Sequence, residues 1–145
     1  MILPDVNVLV YAFREEAVNH DRYKRWLEGV LATEEVAVVD HCLVGFVRVV
    51  TNPRIFSDPA PTALALEFVE RLRRSGRARP TSATSATWAL MNDWAGQDSA
   101  VRGNLVPDSY LAALAVAHGA SIATNDRGFA RFPGVDLIDP LRSDR

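Results

Sequence analysis

Met1-Ile-Leu-Pro-Asp-Val-Asn-Val-Leu-Val-Tyr-Ala-Phe13 is the stretch whose reading decides the fold. Its apolar start runs into Pro4 and Asp5. The run from Val8 to Phe13 that Asn7 opens is too apolar and too long for a loop, so it reads as a crossover helix directly behind a buried strand. An acid therefore stands where a strand ends and a helix begins. In open α/β sheets that edge, outside the carboxyl ends of the strands, is where ligands bind.

The same arrangement recurs twice. Val36 to Val39 is a β-branched strand candidate that ends at Asp40, and Ser121 to Thr124 is another that ends at Asn125-Asp126. Ala78 to Ser82 and Val135 to Ile138 supply two further short strands. Helices fill the intervals. Tyr23, Trp26, Leu27, Val30 and Leu31 share one face, with Arg22, Lys24, Arg25 and Glu28 opposite, and Asn19 stands in N-cap position. His41 to Asn52 is apolar on most sides, yet His41, Gly45, Arg48 and Asn52 form one polar or bare stripe at helical spacing. Three prolines break the chain between Asn52 and Pro61. Thr62 to Ser75 is again amphipathic. The arginines at its end, Arg71, Arg73 and Arg74 with Arg77 and Arg79 beyond, read as a solvated helix terminus before an RNA-binding patch.

Thr84 to Ala95 reads as helical and Gly96 to Asn104 as loop. Leu105 to Gly119 is a helix with Pro107 and Asp108 in its first turn, and its many alanines imply close approach to a neighbouring element. This alternation predicts an α/β fold: one domain over residues 1–145, with a mostly parallel central sheet of four to five strands and helices on both faces.

Composition narrows the function classes. A chain of 145 residues, 48% apolar, can bury one sizeable core. The single cysteine, Cys42, excludes an internal disulfide framework and, with no cationic-apolar leader, points to a reducing cytoplasm. No apolar run approaches the roughly 20 residues that span a bilayer. A net charge of -2 argues against nucleic-acid binding by overall charge while leaving room for a local basic surface. His20, His41 and His118 form no close pair, which argues against zinc; no Gly-rich phosphate loop or Gly-x-Ser-x-Gly elbow is present.

The acids remain. Asp5, Asp40 and Asp126 each end a strand candidate, and in a parallel sheet all three reach one edge. The helix carrying Asp108 starts from that edge too, because it runs back antiparallel to the strand it precedes. Carboxylates forced together repel, so they stay ionised only with a cation among them, and an all-oxygen donor set suits Mg2+ or Mn2+. Taken singly each acid has a structural role: Asp5 and Asp40 as caps, Asp108 as a first-turn acid, Asp126 as a turn residue.

Four motifs carry a resemblance. Asp5-Val-Asn-Val-Leu9, Phe46-Val-Arg-Val-Val-Thr-Asn-Pro-Arg54, Gly103-Asn-Leu-Val-Pro-Asp-Ser-Tyr-Leu-Ala-Ala-Leu-Ala115 and Thr124-Asn-Asp-Arg-Gly-Phe-Ala-Arg-Phe-Pro-Gly134, in that order and spacing, resemble the PIN-domain ribonucleases, specifically the VapC toxins of bacterial toxin-antitoxin pairs. The resemblance implies an α/β/α sandwich whose acidic pocket binds Mg2+ or Mn2+ and cuts single-stranded RNA. It also implies a cognate VapB-type antitoxin that blocks the pocket, and a homodimer. Asp5, Asp108 and Asp126 match family acids, with Asn7 and Thr124 at small polar positions that support them. Arg48 becomes a candidate phosphate contact and Arg127 a second substrate contact.

One departure stands out. The family's remaining acid, a glutamate ahead of the Phe-x-Arg sequence, falls on Gly45, on the one bare stripe of its helix. With fewer carboxylates, one metal is expected rather than two. Two other functions compete. A degenerate PIN domain would bind RNA or a partner without cutting it. A haloacid-dehalogenase-type phosphohydrolase would use Asp5 as nucleophile, but that class wants a second Asp where Asn7 stands.

Overall fold

The computed structural model describes residues 1–142, and within them five strands form one sheet with every neighbouring pair parallel. The strands are β1 (Ile2–Pro4), β2 (Val36–Val38), β3 (Ala78–Pro80), β4 (Ser121–Ala123) and β5 (Asp136–Ile138). The helices are α1 (Val6–Phe13), α2 (His20–Thr33), α3 (Asp40–Val50), α4 (Thr62–Arg73), α5 (Ser85–Gln97) and α6 (Leu105–His118). The predicted parallel α/β architecture is the one observed.

Spatial order in the sheet is β3-β2-β1-β4-β5, so β1 is the central strand. The chain first steps outward from β1 through β2 to β3, then crosses back to place β4 on the other side of β1. Strand order therefore reverses between β1 and β4, which opens a crevice at their carboxyl ends. Pro4 sharpens the asymmetry. It has no N–H to give a neighbour, and β1 pairs with β2 at Ile2↔Val36 alone while its pairing with β4 runs the whole strand from Ile2↔Ser121 to Pro4↔Ala123.

Period-two alternation divides the core. Ile2, Val36, Val38 and Ala123 face a cluster with Val8, Leu9, Tyr23, Trp26, Phe46 and Leu72 of the first four helices. Leu3, Ala37 and Ile122 face the opposite cluster with Trp94, Leu111, Ala113 and Leu114 of α5 and α6. Both faces of the sheet are thus covered. The alanines of α6 behave as expected: Ala112, Ala113 and Ala115 are fully buried, which lets α6 sit closely between the sheet and α5.

The proline-rich connection after α3 is anchored rather than loose. Buried Arg14 donates to the carbonyl of Asp58 at 2.8 Å, lies over the Phe56 ring at 4.0 Å and pairs with Glu16. Two local expectations need correcting. Asn19 precedes α2 but makes no side-chain cap bond; it adopts left-handed backbone (φ 61°), a conformation asparagine tolerates better than most residues, and its carbonyl receives the N–H groups of Arg22 and Tyr23. Asp40 likewise is not a cap: α3 begins at Asp40 itself, behind Val39, and the acid sits in the first turn where it complements the helix dipole.

Candidate active site

Asp5 is placed by two local requirements at once. β1 ends at Pro4 and α1 begins at Val6, so residue 5 must be extended (φ −68°, ψ 157°) and must satisfy the first free N–H of the helix. Its Oδ1 accepts that bond from Val6 at 2.7 Å, while Oδ2 accepts from the Thr124 hydroxyl at 2.9 Å. The predicted cap is therefore real, and only one side of the carboxylate is used by it. Thr124 extends β4 and works in two directions: its hydroxyl donates to Asp5 and accepts the backbone N–H of Asp126 at 3.0 Å. One buried side chain thus fixes the relative position of two acids. Asp126 in turn caps a short 3-10 turn, Arg127–Arg131, by accepting from Gly128 N–H at 2.8 Å. The Asp-x-Gly spacing in the sequence signals that turn.

Asp108 arrives from the opposite face, half-buried in the first turn of α6. It lines a cleft of about 700 Å3 together with Asp5, Asp126, Asn7, Asp40, His41, Gly45 and Arg48. The cleft lies at the strand-order reversal. Among the described residues, no cation forms an ion pair with Asp5, Asp108 or Asp126. The electrostatics show the consequence. Burial pushes the Asp5 carboxyl above its ordinary 3.8, the bonds from Thr124 and Val6 pull it back, and the charges of Asp108 and Asp126 push it up again. Burial and the charge of Asp126 also raise Asp108. Three acids that sense each other's charge with no compensating cation form a site of unspent negative potential.

Among the described residues, however, no three acid, histidine or cysteine side chains close around a single point as a metal-ligand set. The donors that line the cleft are carboxylate oxygens, the chemistry that hard divalent cations such as Mg2+ take, with water completing the coordination.

The other expected site residues fall into two groups. Arg48 lines the cleft, is exposed, and makes no ion pair among the described residues, so the alternative of a structural pairing with one of the acids is not realised. Asn7 also lines the cleft, but no hydrogen bond joins it to an acid among the described residues; the side-chain hydrogen bond comes from Thr124, beside the backbone N–H groups of Val6 and Gly128. Arg127 is exposed beside Asp126 and is not among the residues lining the cleft. Asp40 does line it, as an exposed acid.

Gly45 faces the same cleft, and a Cβ there would meet a Val6 methyl at 3.2 Å. α1 has closed over the bare position. Cys42, on the adjacent turn, is buried, and burial first and the Asp5 charge second push its thiol up to about 12, which makes it a packing group and no nucleophile.

Sequence reading did not single out His41, Tyr110 and Trp88 as a unit. The His41 ring meets Tyr110 edge-to-face at 5.6 Å and Tyr110 meets Trp88 at 6.3 Å, so rings from α3, α6 and α5 run outward from the cleft. The contacts cross three helices, which no single-helix periodicity can reveal.

Comparison with known proteins gives concordant results. The family model for the PIN domain matches residues 2–135. Ribonuclease VapC25 of Mycobacterium tuberculosis is 37% identical over 141 residues, covering 97% of this chain and 99% of that one. VapC ribonuclease Mb2897 of Mycobacterium bovis is 37% identical over 97% of this chain and 96% of its own. Among solved structures, VapBC2 from Rickettsia felis bound to a DNA fragment from its promoter superposes with a TM-score of 0.70 at 20% identity, covering 95% and 98% of the two chains. Mycobacterium tuberculosis VapC20, a Sarcin-Ricin loop cleaving toxin, superposes with a TM-score of 0.66 at 16% identity, covering 96% and 100%. At those identities the structural likeness speaks for the fold.

Proposed function

This chain belongs to the PIN-domain family, and from that premise we propose that it is the toxin of a VapBC-type pair: an endoribonuclease that depends on Mg2+ or Mn2+ and is held inactive by a VapB-type antitoxin. The observation that carries the reading is the convergence of Asp5, Asp108 and Asp126 on one cleft at the β1/β4 reversal with no cationic partner among the described residues. Relatives at 37% identity over nearly their full length are named ribonucleases, and a cleft of three carboxylates suits the metal-dependent form of that chemistry.

In this reading Asp5, Asp108 and Asp126 hold the cation. Mg2+ or Mn2+ supplies Lewis acidity toward the phosphodiester and lowers the pKa of a water molecule. Thr124 keeps the Asp5 carboxylate oriented and sets the backbone of Asp126 against it. Arg48, uncommitted and exposed on the wall of the cleft, approaches a non-bridging phosphate oxygen. Asp40 adds negative charge at the mouth. A homodimer in a reducing cytoplasm belongs to the same proposal. Membrane insertion does not, as no helix among the described residues is long and apolar enough to cross a bilayer.

Gly45 favours a second reading, a PIN domain that binds RNA or a partner without cutting, because packing of Val6 at 3.2 Å leaves little room for a fourth acid. A direct assay separates the two. The antitoxin-free chain incubated with structured RNAs should cut them in Mg2+ or Mn2+ and not in chelator. Asp108→Asn should lower the rate at least about 100-fold, beyond the loss typical of groups one shell from a metal. Unchanged cutting in chelator or by the variant would remove the metal mechanism, and metal-independent binding without any cutting would establish the second reading.

A further inference from the structure

We propose that His41, Tyr110 and Trp88 form a stacking platform that grips the unpaired bases of the RNA strand where it leaves the acidic cleft; the proposal rests on the nuclease reading above and deepens it. His41 is the second residue of α3, follows the cleft acid Asp40 and itself lines the cleft. Its ring meets Tyr110 at 5.6 Å with planes at 73°, and Tyr110 stands two residues beyond Asp108 on α6. Tyr110 then meets Trp88 of α5 at 6.3 Å with planes at 48°. One end of the row opens on the carboxylates and the other on solvent.

Trp88 is the informative member. Of the three tryptophans, Trp26 and Trp94 are 2% and 4% exposed, whereas Trp88 is 60% exposed. The core does not use it. α5 buries Thr87 and Trp94, with Leu90 and Met91 packed against the same cluster. A large indole left in water two ring contacts from the cleft-lining His41, and touching half-buried Tyr110, is an exposed aromatic surface.

In the cleft Arg48 and a cation bound by the acids would address phosphate, which is the same at every nucleotide and positions the strand without holding its bases. Stacking on aromatic rings supplies a grip that every base can satisfy and that grows with unpaired bases. Bases inside a duplex are already stacked on one another, so the platform selects single-stranded segments.

Trp88 also reports on itself, because it is the one exposed indole. In EDTA, where no metal-dependent cleavage competes, a short oligoadenylate should quench the tryptophan emission of the full chain, and an RNA duplex of equal length should quench it far less. With fluorescein-labelled oligoadenylate and anisotropy as the readout, Trp88→Ala should bind about tenfold more weakly, the loss of one base stack, while Trp88→Phe stays within about threefold of wild type. In Mg2+ or Mn2+ the Ala variant should raise KM by a similar factor with kcat within about twofold.

The platform is overturned if Trp88→Ala binds oligoadenylate as wild type does, if the Phe variant loses as much as the Ala variant, or if Trp88 emission shifts with protein concentration alone, which would assign the surface to a second copy of the chain. The two readings separate cleanly. Trp88-dependent binding without cleavage in any metal keeps the platform and removes the nuclease, whereas Asp108-dependent cleavage indifferent to Trp88 does the reverse.

Discussion

Two clusters of like charge lie on this molecule, and they are opposites in every respect but density. At the β3 end of the sheet, Arg73 and Arg74 both pair with Glu70 at 2.9 and 2.7 Å, Arg79 pairs with Glu35 at 2.9 Å, and Arg77 donates to the Ala32 carbonyl at 3.1 Å. These arginines are exposed; two carboxylates answer three of them, and Arg77 rests on a backbone carbonyl. At the β1/β4 reversal, Asp5 meets Asp108 and Asp126 from over a hundred positions further along the chain, their charges act on one another, and among the described residues none of the three forms an ion pair. The lesson is that a run of charge in sequence says little. What matters is whether the fold has already spent it.

The contrast can be broken most directly by comparing variants at the two ends. Asp126→Asn should lower RNA cleavage at least about 100-fold, while Arg73→Ala and Arg79→Ala should leave it within about twofold. Equal losses at both ends would mean that the arginine edge takes part in catalysis or substrate binding after all.

Thr124→Val comes next. It keeps the volume but strips the hydroxyl that joins Asp5 to Asp126, leaving Asp5 Oδ2 and the Asp126 N–H without these partners. A buried polar group stranded in this way costs about 1–3 kcal/mol, visible as a lower urea midpoint, and activity should fall about 10–100-fold because the acids lose their relative orientation. A variant with wild-type rate would show that Thr124 does not position the site.

Titration sharpens the comparison further. Asp5 and Asp108 have raised folded-state pKa values, so the folded protein holds protons that the unfolded chain has already released above about pH 4. The resulting stability is fully present below about pH 4 and is lost as pH rises through the raised values. Metal-free protein should therefore lose the Asp5 and Asp108 contribution to its melting temperature as pH rises from about 4 to about 7.5. Asp108→Asn should flatten that slope and raise the neutral-pH Tm. Added Mg2+ should raise the neutral Tm of wild type more than that of Asp108→Asn. A pH slope unaltered by the variant would contradict the electrostatic picture.

The smallest effects belong to the opposite edge and to Gly45. Removing the exposed Arg79–Glu35 pair should change stability by less than about 1 kcal/mol. Gly45→Ala gains about 1 kcal/mol of helix propensity and loses much of it to the 3.2 Å contact with Val6, so the net change in a denaturant melt should lie within about 0.5 kcal/mol. A loss well beyond that would show that Val6 cannot yield.

Much of this was legible in the sequence because local rules and global fold agree. Asp5 reads as strand end plus helix start, Asp108 as a first-turn acid behind Pro107, and β-branched runs at Val36 and Ser121 to Thr124 locate the strands. Parallel order then brings the acids to one edge without further information. Failures came where a residue's partner lies across the fold. Asn19 had the right chemistry for a cap and took left-handed backbone instead; Asp40 stood one residue too late to be one. Asn7 lines the cleft as expected of a site residue, while the side-chain hydrogen bond to Asp5 among the described residues comes from Thr124. The rings of His41, Tyr110 and Trp88 meet only after three helices are packed.

The placement of β4 beside β1 has a consequence for synthesis. A ribosome delivers Asp126 121 residues after Asp5; until β4 inserts next to β1, Thr124 has no Asp5 carboxylate to hold and the cleft lacks its third acid. The cleft with all three of its acids is thus completed in one event, the docking of β4 against β1.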